Sequence, residues 1–321
     1  MKKILFATTA LIATAGVAAA ESNVKLGGYG RFGLAYNDGA TGTRKETRLE
    51  QRFRINISAS AETDAGVKVE GRFQLESNEG SSGGAAGDGP GAAGFAVSYE
   101  GFRLDLGHVS DVIDSGDVVD FFGHGIGLTD LIESDNTLDG VIDAEGFGEE
   151  DIFRQTVKAR YSVGDFTVAA SFTEENDSAD AVAEEEDYSY YQIGAAYDFG
   201  TFAVGAAFGE RDDAAETSYW VANVSGDFGN LSYNVLVGDS DALDAGDADV
   251  GYSISAAYKV SSATEIRALV AGGGLADLDG GDEAFGLGFR HKLGGGVSLR
   301  GGVAQDSEGN DLADLGIRFD F

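Results

Sequence analysis

From Arg52 to Ser60 the chain alternates without a break. Phe53, Ile55, Ile57 and Ala59 are apolar, and Arg52, Arg54, Asn56, Ser58 and Ser60 stand between them. After Asp64-Ala65-Gly66 the period returns, with Val67, Val69 and Phe73 on one side and Lys68, Glu70, Arg72 and Gln74 on the other. A period of two is that of a β-strand with unlike faces. Beyond residue 20 no long stretch places apolar residues at helical spacing. Short and long connections separate the strand-like segments in strict alternation. Seven short ones fall at 64–66, 100–101, 164–165, 200–201, 228–230, 261–262 and 294–296. Eight longer ones lie near 37–46, 77–91, 111–151, 174–187, 210–216, 239–248, 273–282 and 306–311. The pattern predicts an all-β fold of sixteen antiparallel strands, with turns at one end and loops at the other.

A soluble sandwich would alternate too, so the surroundings of the apolar face need further evidence. Aromatic residues crowd the short turns: Tyr99 and Phe102, Tyr161 and Phe166, Phe199 and Phe202, Phe228 and Tyr233. This is the placement of an interfacial girdle, where rings meet lipid headgroups. The other face carries bases at mid-strand, namely Arg31, Arg54, Arg72, Lys158, Arg160, Arg267, Arg290, Arg300 and Arg318. Between them run small residues such as Thr167, Ala169 and Ser171, or Ala203, Gly205 and Ala207. Sixteen strands leave a lumen wide enough for water. Hydrocarbon tolerates no open sheet edge, which demands closure, and a single proline in 321 residues suits an uninterrupted ladder. The expected fold is therefore a 16-stranded antiparallel transmembrane β-barrel, greasy outside and polar within.

The opening "MKKILFATTALIATAGVAAA" reads as a secretory signal peptide over residues 1–20, cleaved before Glu21, its apolar run being too short to span a bilayer. No linker divides residues 21–321, which form one expected domain. The net charge of −33 becomes −35 once Lys2 and Lys3 are removed. That excess repels phosphate backbones and excludes nucleic acid as a partner. No cysteine is present, so disulfides contribute nothing to stability. The stretch 174–187 holds eight acids and no base, as a solvated surface segment would.

The stretches "LGGYGRFGLAY", "AETDAGV" and the ending "LGIRFDF" resemble the general porins of purple photosynthetic bacteria of the Rhodobacter type and their alphaproteobacterial relatives. The likeness in strand order and connection length covers the chain after residue 20, and the motifs lie at its two ends. The resemblance implies a homotrimer in the outer membrane of a Gram-negative bacterium, in contact with bilayer lipid and lipopolysaccharide. It implies a water-filled diffusion channel for small hydrophilic solutes and ions, and a third extracellular loop folded into the barrel. Phe321, with Phe319, Ile317 and Leu315 before it, resembles the signal read by the outer-membrane barrel insertion machinery.

The third long connection, 111–151, holds thirteen acids and no lysine or arginine. Val112, Ile113, Val118, Val119, Phe121, Phe122, Ile126, Leu128, Leu131 and Ile132 make it too apolar for a solvated tail, and a connection of this length usually serves a function. The lumen wall is the available packing surface. Asp114, Asp117, Asp120, Asp130 and Glu133 are then expected to face Arg31, Arg52, Arg54, Lys68 and Arg72 across the constriction. Opposed charges over a narrow aqueous gap create a transverse field that favours dipolar solutes. The acid excess predicts weak cation selectivity.

Catalytic chemistry finds no footing. His108, His124 and His291 form no triad with a nucleophile and no zinc cluster, and the runs "GGYGRFG" and "GGG" open no helix that would cradle phosphate. No cofactor is expected, although clustered carboxylates are able to hold calcium; "DLDGGDE" at 277–283 only faintly echoes a calcium loop. Two other readings fit the same features less well: a substrate-selective outer-membrane channel, and a secreted, acidic calcium-binding adhesin or surface protein.

Overall fold

The computed structural model describes residues 23–42, 44–79, 85–148, 154–175, 188–212, 216–244, 248–278, 281 and 283–321. The leader expected over 1–20 and the acid run 176–187 lie outside these residues. In chain order the strands are β1 (Asn23–Asn37), β2 (Thr47–Glu62), β3 (Lys68–Glu79), β4 (Ala85–Pro90), β5 (Gly94–Tyr99) and β6 (Phe102–Gly107). They continue with β7 (Arg154–Val163), β8 (Phe166–Glu175), β9 (Tyr188–Asp198), β10 (Phe202–Asp212), β11 (Ser218–Phe228) and β12 (Leu231–Ser240). The last are β13 (Gly251–Lys259), β14 (Thr264–Gly272), β15 (Ala284–Gly294), β16 (Val297–Gln305) and β17 (Asp311–Asp320). Two single-turn helices, α1 (Asp241–Asp244) and α2 (Leu275–Leu278), lie in long connections.

Every pairing between strands is antiparallel, and β17 returns to β1 from Tyr29↔Asp320 to Asn37↔Leu312, so the sheet closes on itself. The lower half of β3 pairs with β5 and its upper half with β4, which makes β4 and β5 successive lengths of one wall strand. Seventeen segments thus build sixteen staves. The expected long connection near 77–91 is largely ladder, because Ser77, Asn78 and Glu79 still find partners in Gly87, Ala86 and Ala85.

The burial pattern is inverted relative to a soluble globule. Leu26, Leu49 and Phe228 are 68%, 73% and 82% exposed, while the alternating positions Asn234, Ser253 and Ser255 are wholly buried. The exposed aromatics form two belts. Tyr161, Phe166, Tyr197, Phe202, Phe228 and Tyr258 lie toward the short turns, and Phe172, Tyr191, Phe208, Trp220 and Tyr252 toward the long connections. Phe202 and Phe208 on β10, like Tyr252 and Tyr258 on β13, are six residues apart, or ~20 Å along a strand. Allowing for strand tilt, that spacing suits an apolar band between two interfaces. Among the described residues no helix is long and apolar enough to cross a membrane.

Candidate functional site

Residues 109–147, between β6 and β7, are dense in buried apolar side chains. Val112, Ile113, Val119, Phe121, Ile126, Leu128 and Ile132 are all buried. The first part clusters with Ala169, Ala207, Val221 and Leu236 of β8, β10, β11 and β12, and Ile126 and Ile132 cluster with Leu269, Ala284 and Ala304 further round. These wall positions alternate with exposed Phe172, Phe208, Trp220, Val235, Phe285 and Val303, which places the contacts on the inward face.

Polar anchors fix the segment at intervals. Asp111 accepts hydrogen bonds from the amides of Asp114 and Glu145, both at 2.8 Å, and from the Tyr190 hydroxyl at 3.2 Å. Burial pushes its carboxyl up to about 7, against the pull of those two amides. The Gln192 side-chain carbonyl accepts the amides of Val112 and Ile113 at 3.0 and 3.1 Å. Farther along, Asn234 donates to the Asp120 carbonyl (2.8 Å), and the Ser255 hydroxyl accepts the His124 amide (3.0 Å). Asp314 accepts the amides of Leu128 and Thr129 and the Thr129 hydroxyl. The segment therefore traverses the inner wall from β9 to β17.

Glycine makes this close approach possible. A Cβ at Gly33 or Gly316 would lie 2.9 or 2.6 Å from the Leu128 side chain, and one at Gly302 would lie 2.8 Å from Ile126. At Gly205 it would fall on the Val118 carbonyl oxygen.

The acidic positions expected to act together are dispersed. Asp117 pairs with Lys158 at 2.8 Å and Arg160 at 2.5 Å, both on β7. Burial would raise its carboxyl, but Lys158 and Arg160 hold it below the usual value. Asp130 pairs with Arg290 of β15 at 2.7 Å. Asp120 turns back to accept the Gly123 amide. Asp114 donates its amide to Asp111 and lies in the electrostatic environment of Arg72. Glu133 is pushed up to about 8 by burial, with Asp130 and Asp135 adding to the rise.

Four of the five bases of the first three strands pair with acids on their own wall. Arg31 donates to Glu50 at 2.8 Å, Arg52 and Arg54 converge on Glu76, and Lys68 pairs with Glu70 at 2.7 Å. Arg72 stacks over the Phe147 ring at 3.9 Å and is the one of the five that touches the segment. Asp117 and Asp130 thus take their bases from β7 and β15 rather than from the first three strands. Glu50, Glu76 and Glu70 occupy Arg31 of β1, Arg52 and Arg54 of β2 and Lys68 of β3, while small inward residues of β8 to β13 receive the loop. Sequence reasoning marked Lys158, Arg160 and Arg290 as inward bases but not as partners of the loop. It passed over the Arg211–Asp143 pair altogether. Strand parity reveals which way a base points, but not where a long connection will lie.

Phe321 closes the ladder with mutual backbone hydrogen bonds to Gly28, both 3.0 Å, and stacks on Phe53 at 5.5 Å between ring centres. Among the described residues, no group of three or more His, Cys, Asp or Glu side chains is placed to hold a metal ion.

A closed, inverted barrel with a polar interior is the architecture of a membrane channel, and comparisons with known proteins agree. A family model described as Gram-negative porin matches residues 7–311. A porin of Fuscovulum blasticum is 28% identical over 304 residues, covering 93% of this chain and 100% of the relative. Solved structures of substituted Rh. blastica porin superpose with TM-scores of 0.75 and 0.74 at 24% and 23% identity, each covering 93% of this chain and all of the other. With its sixteen staves, outward apolar face and family match over nearly its whole length, the chain belongs to the Gram-negative porins, the diffusion channels of the outer membrane.

Proposed function

We propose that the segment 109–147 is the constriction of this channel and that the pore is weakly cation-selective. The observation that carries this reading is the seating of an acid-rich segment against the inward wall, where Asp117, Asp130 and Asp143 each meet a wall base. These pairs leave Asp120 with no wall base in ion-pair contact among the described residues, and Glu133 and Asp135, pushed up to about 8 and about 7 by burial, add their charge as the pH rises. Arg31, Arg52, Arg54, Lys68 and Arg72 supply the basic side of the aqueous path, and the separation of charge across it orients dipolar solutes. In a planar bilayer with a potassium chloride gradient, the reversal potential has the sign of cation preference. A reversal potential of the opposite sign overturns the selectivity reading.

The channel is a homotrimer with its long connections at the outer face, where they meet lipopolysaccharide. The wall from β14 through β17 and β1 to β3 supports this assembly. Its outward positions hold one tyrosine, Tyr36, and no tryptophan, whereas the wall from β5 to β13 carries Tyr99, Tyr161, Tyr191, Tyr197, Trp220, Tyr252 and Tyr258. Amphipathic rings belong at lipid interfaces, and their scarcity suits a face covered by protein. Phe321, half exposed at the barrel seam, is the residue offered to the insertion machinery. Passive diffusion requires no cofactor, and calcium on the acidic connections is a separate matter for titration calorimetry.

A further inference from the structure

Toward the short-turn mouth, the inner wall carries one continuous row of charge across four strands. The ladder registers Lys259 of β13 against Glu265 of β14, Glu265 against Arg290 of β15, and Arg290 against Arg300 of β16. A recess of about 270 Å³ opens over this row, lined also by Arg267 and Lys292. Five basic side chains and a single carboxylate thus meet in one recess of a chain whose net charge is −33.

The pairing leaves that charge unbalanced. Glu265 is held by Arg267 at 2.7 Å, and Arg290 by Asp130 of the loop at 2.7 Å. Among the described residues, no carboxylate pairs with Lys259, Lys292 or Arg300. The Nε of Arg290 is buried without a hydrogen-bond acceptor. Arg300 turns its own Nε to the Ser298 hydroxyl at 3.1 Å, a neutral partner. Like charges directly opposite each other destabilise a sheet; Asp130 offsets that cost at Arg290 but forms no ion pair with Arg300.

We propose that this recess is a binding station for solutes bearing a phosphoryl group, reached from the short-turn mouth. The inference rests on the channel reading above. Three uncompensated cations suit a multiply charged anion better than a monocarboxylate. The planar guanidinium of Arg300 is matched to the paired oxygens of a phosphoryl group. The recess lies just below the ~300–1,000 Å³ usual for small-molecule sites, which suits inorganic phosphates and small phosphorylated metabolites. Binding there concentrates such solutes at the mouth of a pore whose constriction is acidic, and it inserts an anion between Arg290 and Arg300.

Inorganic pyrophosphate is the probe. With the purified full chain in a planar bilayer at low salt, pyrophosphate on one side lowers the potassium chloride current along a saturating curve. Addition from the other side requires about tenfold more, as expected if a single-sided site is worth one decade of affinity. Replacing Lys259→Gln and Lys292→Gln together shifts the half-blocking concentration upward by about tenfold, while glucose has no saturable effect on either protein. A current that ignores pyrophosphate, falls only linearly, or is blocked equally from both sides overturns the station while leaving the channel intact. A half-blocking concentration unchanged in the double variant overturns it as well. Absence of any conductance would instead remove the channel reading itself.

Discussion

Glu133 shows how a single side chain sets the behaviour of the pore. Its carboxyl is pushed up to about 8, first by burial and then by Asp130 and Asp135, so at neutral pH it is mostly protonated. Raising the pH through 8 ionises it and adds a negative charge to the constriction; lowering the pH removes that charge. Cation preference is therefore expected to increase between pH 6 and pH 9, and Glu133→Gln to remove the upper part of this rise, the lower part belonging to Asp111 and Asp135, each pushed up to about 7. Reversal potentials at a series of pH values read the effect directly. Asp117 behaves in the opposite way, since Lys158 and Arg160 keep it ionised across that range. Residue identity alone distinguishes nothing here, because both are loop acids in the same sequence stretch. Neighbours contributed by β7, or their absence, separate them.

At the scale of the element, the glycines of the inward face have a specific task. Sequence alone suggests thin places on a curved sheet, whereas contacts reveal a bed for residues 109–147. A Cβ at Gly205 would fall on the Val118 carbonyl oxygen, a backbone atom that cannot rotate away. Gly205→Ala is thus expected to displace the segment near Val118, lower stability by ~1–3 kcal/mol as other overpacked sites do, and alter single-channel conductance. Gly71→Ala is the matched control. It points outward on β3, where the added methyl would sit 3.4 Å from the Phe95 ring. Thermal unfolding in detergent compares the two, and equal transitions would count against the bed. The sixteen staves and seven short turns were legible because period-two alternation and turn residues are local signals. The seat of residues 109–147 was not, since it depends on Gln192, Asn234, Ser255 and Asp314, which lie far along the chain.

For the whole molecule, the outer wall is divided by ring chemistry. Phe53, Phe319 and Phe321 pack together on the side poor in tyrosine and tryptophan, while Phe208 stands among the belts of the other side. On the proposed trimeric assembly, Phe53→Ser is expected to leave only monomer on an unheated gel, and Phe208→Ser to leave the trimer in place. Loss of trimer in both variants, or in neither, would mean that the protein-facing wall lies elsewhere. An inverted barrel gains little from a hydrophobic core because its apolar face is already in lipid. What stabilises it is the closed ladder, and the interior is free to hold charge.

The chain's own alternation determined the strands, their number, the direction of each face and hence the class of protein, because side-chain parity along a strand is fixed by backbone geometry. The tertiary structure decided which charges meet. Arg31, Arg52 and Arg54 are matched by acids on adjacent strands and Lys68 by one on its own, Asp117 and Asp130 by bases on β7 and β15, and Lys259, Lys292 and Arg300 by no carboxylate among the described residues. Pairing of that kind is a property of distance across the lumen, and that distance exists only once the sheet has closed.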